Sequence, residues 1–435
     1  MNPLVIKLVA IVAVAVVVVA GVVIFVGSDS DSEKSYDING MLPVFGNANQ
    51  DYTIDNSDAT IIQNIIDKKE GYDLAKFPYA DANDDDVVDN KDLEVVNHVI
   101  KGEKTDVYIV NTNFDNSTYK DVVHWPCKAM ASAGVSTLPM LYKCAGVLSY
   151  VKGMALSNPW NADPYMFPTL QNFESLGPNM REFDVDKVKD LMKSDGIDCI
   201  VCVASLKANE TVFKDMGLSI IRPACAAPTV EGYTSAMLLM GFIFNTPTQS
   251  LEVSEWFGKV KAEIDEKTKD VTKTRVLPLT TGTGVSAPTS SYAQVMVTAG
   301  GTFPSEIASK TSSTAFGDWV YEMKDCDAIV SLYSGNSDNS WFGKDCDVSV
   351  YSQSILTYKD TDMFKNNRAY VVAFDLPMPV KIAYTAVALY PTIFSEDWAE
   401  DLAQDFYDEF FDGNINASEI NVFLTTEEIR NLAKS

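Results

Sequence analysis

The sequence predicts an α/β protein made of two halves of similar size joined by one long helix, preceded by an apolar N-terminal segment and a small helical module. Three observations carry this reading. Short β-rich runs alternate with helical patterns from Val107 onwards, one extended amphipathic stretch from Gln249 to Lys269 separates two groups of such runs, and a duplicated acidic loop-plus-helix pattern fills residues 40–103. With 435 residues, 46% of them hydrophobic, the chain can bury a sizeable core in two or three domains.

The N-terminal element comes first. Leu8 to Val26 is an unbroken apolar run following Lys7, and about 19 residues at a 1.5 Å rise span the roughly 30 Å hydrocarbon core. Asp29, Asp31 and Glu33 lie on its far side, so the positive-inside rule places the bulk of the chain outside the cell membrane, with residues 1–27 as anchor and 28–39 as linker. A cleaved signal peptide is the alternative; the length of the run favours the anchor. The sequons at Asn116, Asn209 and Asn416 are compatible with an outside location. The formal net charge of −26 argues against nucleic acid as a partner, because a phosphate backbone needs a cationic counter-surface. Seven cysteines are an odd number, which leaves at least one thiol unpaired; Cys127 with Cys144, or Cys326 with Cys346, can bridge, while Cys199 and Cys202 read as core residues of a buried strand.

The module at residues 40–103 contains two oxygen-rich loops. In the first, Asn47, Asn49, Asp51, Thr53, Asp55 and Asp58 occupy loop positions one, three, five, seven, nine and twelve; in the second, Asp81, Asn83, Asp85, Val87, Asp89 and Asp92 repeat the register. Hard oxygen donors at this spacing are the ligand pattern for Ca²⁺, position seven contributing its backbone carbonyl. Each loop runs into an amphipathic helix, Ala59 to Lys68 and Leu93 to Lys101. The pair resembles the type I dockerin, an EF-hand-like module of two loop-plus-helix units, and that resemblance implies Ca²⁺ binding and a cohesin-type protein partner. Position six, usually Gly, is Tyr52 in one copy and Asp86 in the other, and position one of the first copy is the neutral Asn47, so the first site is expected to be the weaker.

The strand-like runs are Val107–Val110, Ile197–Val203, Ser219–Ile221, Arg275–Leu279, Ala328–Leu332 and Ala369–Phe374, and their alternation with helices argues largely parallel sheets. The boundaries fall at 104–248 for a first lobe, 249–272 for the joining helix, 273–413 for a second lobe and 414–435 for a C-terminal tail. In such sheets ligands meet loops at the carboxyl ends of strands. The candidates are Ser136, Thr137, Asn158, Trp160, Ser205, Lys207 and Tyr233 in the first lobe, and Thr283, Tyr292, Tyr333, Trp341 and Asp375 in the second. Trp160, Tyr292, Tyr333 and Trp341 are the aromatics placed to stack on a macrocycle or chelate. Arg222 and Arg275 sit within strand-like runs rather than in these loops, which favours a neutral or cationic ligand.

The order of further landmarks is specific: Val122 to Gly134, Leu138 to Gly146, Ser175-Leu-Gly-Pro178, Asp184 to Val203, Met216 to Ile221, the joining helix, Thr298 to Phe303, Phe316 to Val320, Asp327 to Val330, Asn366 to Val371 and Ala386 to Phe394. In this order, over roughly residues 105–413, the chain resembles the class III substrate-binding proteins of ABC importers for iron-siderophore, heme and cobalamin-type ligands. The resemblance implies two Rossmann-like lobes that close slightly around a metal chelate, and partners in an ABC permease and its ATPase. It also implies one permease-docking carboxylate per lobe; these positions fall on Asp186 and Asp318, both Asp where Glu is usual, and both also placed to complement a helix dipole. A surface scaffold working through the dockerin-like module is the alternative reading. No nucleophile elbow, HExxH, Walker loop or GxGxxG pattern occurs, and the only histidines are His98 and His124, so no enzyme is expected.

Overall fold

The computed structural model describes residues 40–434 except 114–116, 135–136, 157–162, 174, 180, 204–205, 207, 225–228, 281–283, 324, 336–337, 412 and 414. The expected membrane anchor at 1–27 lies outside the described residues; among those described, no helix is long and apolar enough to cross a membrane.

Two separate four-stranded sheets organise the chain. Strands β1 (Thr105–Thr112) and β2 (Thr118–Trp125) pair antiparallel as a hairpin, and β3 (Met130–Gly134), β4 (Val151–Leu156), β5 (Cys199–Val201) and β6 (Ser219–Ile221) form an all-parallel sheet in the order β4-β3-β5-β6. The second sheet has the order β10-β9-β8-β7, in which β7 (Val276–Leu279), β8 (Ala328–Tyr333) and β9 (Ala369–Ala373) are parallel and β10 (Phe423–Leu424) closes the edge antiparallel. Helices cover both faces, so β5, β6, β7 and β9 are buried at every residue, the pattern of parallel strands sandwiched between helical layers.

Two sequence expectations change. The run Val107–Val110 is part of the hairpin rather than the first parallel strand, because only five residues separate β1 from β2 and a parallel neighbour requires a long crossover. The expected C-terminal tail belongs to the second lobe: β10 hydrogen-bonds to β9, and the Thr426 hydroxyl donates to the Ala369 carbonyl at 2.6 Å while accepting from its N–H at 2.9 Å.

The joining helix runs from Pro247 to Thr268, with Pro at its first turn and Ser250, Val253, Ser254, Phe257, Val260 and Ile264 buried along one stripe at three- and four-residue spacing. It packs on helix Val230–Ile243 of the first lobe and helix Met378–Leu389 of the second. Gly241 makes the first contact possible, since a Cβ there would stand 2.2 Å from Ser250 Oγ and 3.2 Å from Pro247 Cα. On the second-lobe side Trp256 meets Phe406 edge-on at 5.1 Å, and Trp398 Nε1 donates to Glu263 at 3.1 Å. The rod is thereby fixed to both halves along its length.

The 40–103 segment contains helices Asn56–Ile66 and Asn90–Lys101 around a small core of Ala48, Ile62, Ala80, Ala82 and Val96. It is knitted to the hairpin by backbone bonds: Phe45 N–H donates to the Tyr108 carbonyl at 2.8 Å and Val110 N–H to the Pro43 carbonyl at 2.9 Å. These bonds cover an edge of the hairpin that would otherwise present unpaired backbone groups.

Candidate functional site

The loops that follow the strands of the two sheets meet in a seam between the lobes. Asp163, in the segment after β4, has a carboxylate that accepts the N–H groups of Tyr165 at 2.9 Å and Met166 at 3.0 Å, which fixes the turn. Its other oxygen accepts the hydroxyl of Ser340, which stands in the loop after β8 on the opposite lobe. Ser340 is buried and in turn accepts Phe342 N–H at 3.0 Å. Beside this bond the Tyr165 ring lies over Gly343, where a Cβ would sit 2.9 Å from the ring. The seam thus has a polar clasp with an aromatic cover. Desolvation raises the Asp163 pKa, opposed by the Ser340 and backbone hydrogen bonds.

Behind the clasp lies a mixed-charge cluster. Asp375, just past β9, accepts Gly335 N–H at 2.6 Å; burial raises its carboxyl to about 7, with Asp163 adding repulsion and Lys381 opposing the shift. Lys381, in helix Met378–Leu389, is buried and stands over the Phe374 ring at 4.2 Å, and desolvation lowers its ammonium to about 8 against the attraction of Asp375. A lysine in an otherwise apolar helix is costly to bury, and the Asp375 carboxylate and the Phe374 face are its compensation. Tyr233 and Cys144 approach from the first lobe: the Tyr233 hydroxyl lies beside the Cys144 thiol and the Met378 backbone, and burial pushes both groups up, Cys144 to about 12.

The structure brings several sequence candidates to this seam. Tyr233 is buried, edge-on to Phe257 at 5.3 Å. Tyr292 is half-buried and stacks on Phe374 at 4.5 Å, and Tyr333 ends β8 with its ring tilted against Tyr351. Thr137 opens helix Thr137–Cys144, at the end opposite Cys144, and is half-buried, with no hydrogen bond to the described seam residues. Trp341 is corrected: it is 1% exposed, stacked on Tyr351 at 3.8 Å, and its indole N–H donates to the Tyr333 carbonyl at 2.8 Å, so it braces the loop instead of offering a face to a ligand. Ser136, Asn158, Trp160, Ser205, Lys207 and Thr283 lie outside the described residues. Asp163, Ser340, Lys381 and Cys144 are seam residues that sequence reasoning missed. Lys381 alone carried a signal, as the single charge in an apolar helix.

Both arginines are engaged elsewhere. Arg222 is buried and bonds Glu210 and Tyr119, and Arg275 makes a two-pronged pair with Asp327 at 3.0 and 2.9 Å. His124 is exposed, its Nδ1 2.6 Å from Asp106 on the hairpin. Asp186 and Asp318 are exposed at helix starts on different lobes; Asp186 has Lys189 at 3.4 Å, and Asp318 makes no capping bond.

The two acidic loops share one wiring. In the first, Asn47 Oδ1 accepts Asp51 N–H at 3.2 Å, and Asp58 accepts Asn49 N–H at 3.0 Å and Asp55 N–H at 2.8 Å. In the second, Asp81 accepts Asp85 N–H at 3.1 Å, and Asp92 accepts Asn83 N–H at 3.1 Å and Asp89 N–H at 2.7 Å. The loop-closing acids Asp58 and Asp92 are completely buried, and desolvation raises both, Asp58 to about 6. Asp86, at position six, has φ +64°, the left-handed conformation that Gly usually supplies there, whereas Tyr52 does not adopt it. The donor chemistry therefore fits a hard divalent cation in both loops, and the second loop has the fitting backbone.

Two parallel sheets, one spanning helix and a strand-end seam define the two-lobed periplasmic binding protein fold, and comparison with solved structures agrees. The chain is similar to the TroA-like periplasmic binding protein FepB of Veillonella parvula (TM-score 0.52, 16% identity, 73% of this chain and 99% of that one). It is similar also to CeuE of Helicobacter pylori with Ni(II) bound (0.51, 13%, 72% and 98%) and to the molybdate-binding protein MolA of Haemophilus influenzae (0.52, 12%, 70% and 98%). No protein-family profile matches the sequence, and no curated protein matches it.

Proposed function

We propose that this chain is the extracytoplasmic substrate-binding protein of an ABC importer, which captures a metal chelate between its lobes and hands it to a permease and its ATPase. The observation that carries the reading is the pairing of two separate, largely parallel sheets through a single 22-residue helix, with loops from the two lobes meeting across a seam. A rod fixed to both halves permits small closing motions and resists wide hinge opening. The neighbours' ligands include nickel and molybdate species. Here the seam presents Asp163, Asp375 and Lys381, and both arginines of the strand-like runs are spent on Glu210 and Asp327, so a neutral or cationic chelate such as a corrinoid or iron complex suits it better than a polyanion. Asp186 and Asp318 are the proposed permease contacts, one per lobe. The role is capture and release, without catalysis.

The acidic loops are proposed to hold Ca²⁺, supported by their shared wiring and by the desolvation that raises the two buried loop-closing acids Asp58 and Asp92. The cation then stiffens the stretch between the proposed membrane anchor and the receptor; a cohesin-type partner for its helices is the further expectation from the dockerin resemblance. Native mass spectrometry of the full chain with aquacobinamide, heme and a ferric siderophore tests the receptor reading. Saturable one-to-one retention of a chelate is the expected result, and failure to retain any of the three refutes it.

A further inference from the structure

We infer that Cys127 and Cys199 are joined by a disulfide in the mature protein. Of the six described cysteines, these two have each other as neighbours. The Cys127 and Cys199 sulfurs and an Asp198 carboxylate oxygen all lie within 4.8 Å of one another. The partners suggested by spacing are elsewhere: Cys144 lies beside Tyr233 at the seam, Cys326 contacts the Ala328 carbonyl at 3.3 Å, and Cys346 lies beside Tyr351.

The backbone around the pair is already clamped. Asp198 accepts Lys128 N–H at 2.9 Å, its own N–H donates to the Ala129 carbonyl at 3.1 Å, and β3 pairs with β5 in the register Met130 to Cys199. The two free thiols thus stand within 4.8 Å of each other on a backbone held by these bonds, and the bridge closes that gap to the roughly 2.05 Å of an S–S bond. It staples the connection between the hairpin and the first sheet to the head of β5, closing a long loop, and long loops gain most from closure. A thiophilic metal fits less well, because Asp198 is occupied in holding the backbone.

The chemistry needs a disulfide-bearing oxidant, which an extracytoplasmic location supplies; the inference rests on that location. With oxidised glutathione as the probe, one protein thiolate attacks the glutathione disulfide and releases one glutathione, and the second protein thiolate displaces the other. Two protein thiols lose two protons and two electrons, and one glutathione disulfide becomes two thiols. Cys127 and Cys199 are 4% and 0% exposed, so the bond forms while the chain folds and resists reduction afterwards.

The test uses the full chain purified from membranes, alkylated in denaturant before and after reduction and mapped by peptide mass spectrometry. Two fewer alkylated cysteines before reduction, a Cys127–Cys199 linked peptide, its loss in C127S and C199S but not in C202S, and a lower Tm after reduction are expected. Seven alkylated thiols in protein refolded with oxidised glutathione, a linkage to another cysteine, or stoichiometric zinc that C127S abolishes would each overturn it. None of these outcomes bears on chelate binding, so the receptor reading stands or falls separately.

Discussion

Replacing Ser340 by Ala removes the one side-chain hydrogen bond described between the Asp163 turn and the opposite lobe. A hydrogen bond to a charged acceptor contributes about 1.5–3 kcal/mol net, and Asp163 keeps its two backbone donors, so the loss falls on the lobe–lobe contact rather than on the turn. Since about 1.4 kcal/mol is a factor of ten, closure should weaken by roughly ten- to a hundredfold. A ligand that requires the closed form loses affinity in proportion to the closed fraction. Part of the cost is local, because Phe342 N–H loses its acceptor. The S340T variant keeps a hydroxyl and controls for that. The assay is the distance between spin labels on the two lobes, read by pulsed electron resonance with and without aquacobinamide. A longer and broader apo distance in S340A, restored in S340T, is expected. An unchanged distance distribution together with unchanged affinity refutes the clasp.

Three further outcomes are expected. Because burial raises the folded-state pKa of Asp375 and lowers that of Lys381, the folded chain binds an extra proton on the first and lacks one on the second. Stability from the Asp375 site therefore falls as pH rises from about 4 through neutrality, and that from Lys381 recovers as pH rises above about 8; D375N should flatten the first limb in urea melts taken across pH, and an unchanged profile counts against the buried pair. Chelation of Ca²⁺ should lower the Tm of the wild type, with D92A abolishing the response and N47A leaving most of it, and equal responses in both variants would contradict the ranking of the loops. G241A should cost about 1–3 kcal/mol by forcing the joining helix away from Pro247 and Ser250, measured as a reduced urea midpoint, and wild-type stability would show that the two helices can separate freely.

Much of the frame was legible because β-branched runs announce buried strands. Ala328–Tyr333 and Ala369–Ala373 are such runs, and the joining helix shows its stripe plainly. By contrast β3 reads Met-Ala-Ser-Ala-Gly and β4 contains Gly153 and Ala155, residues with little strand preference; only their position between covering helices makes them strands. Gly153 is small for a reason local sequence does not reveal, since a Cβ there would stand 2.6 Å from Leu191 and 2.8 Å from Leu176. The two-residue β10 exists because β9 offers an edge, which is a tertiary fact. Strand-end reasoning named Asp375 and Tyr292, which the structure places beside Gly335 and Phe374. It overvalued Trp341, whose size suits a ligand platform and a loop brace equally, and it missed Asp163 and Ser340, which become a pair only when two distant loops meet.

The distribution of charge bears on what the seam accepts. The chain carries −26 overall, yet the carboxyls at the seam are those whose pKa values burial raises, and the exposed Asp186 and Asp318 remain on the outside. A polyanionic ligand would meet a negative exterior and then a seam whose single described lysine is itself pushed toward neutrality. A cationic ligand meets attraction on approach, and on arrival it can take the place of a proton held by Asp375, whose carboxyl burial raises to about 7, because a positive neighbour lowers a raised carboxyl pKa. Capture then releases a proton and strengthens as pH rises through the range where Asp375 titrates. For an anionic ligand the sign is opposite, so the pH slope of binding separates the two ligand classes before the ligand itself is known.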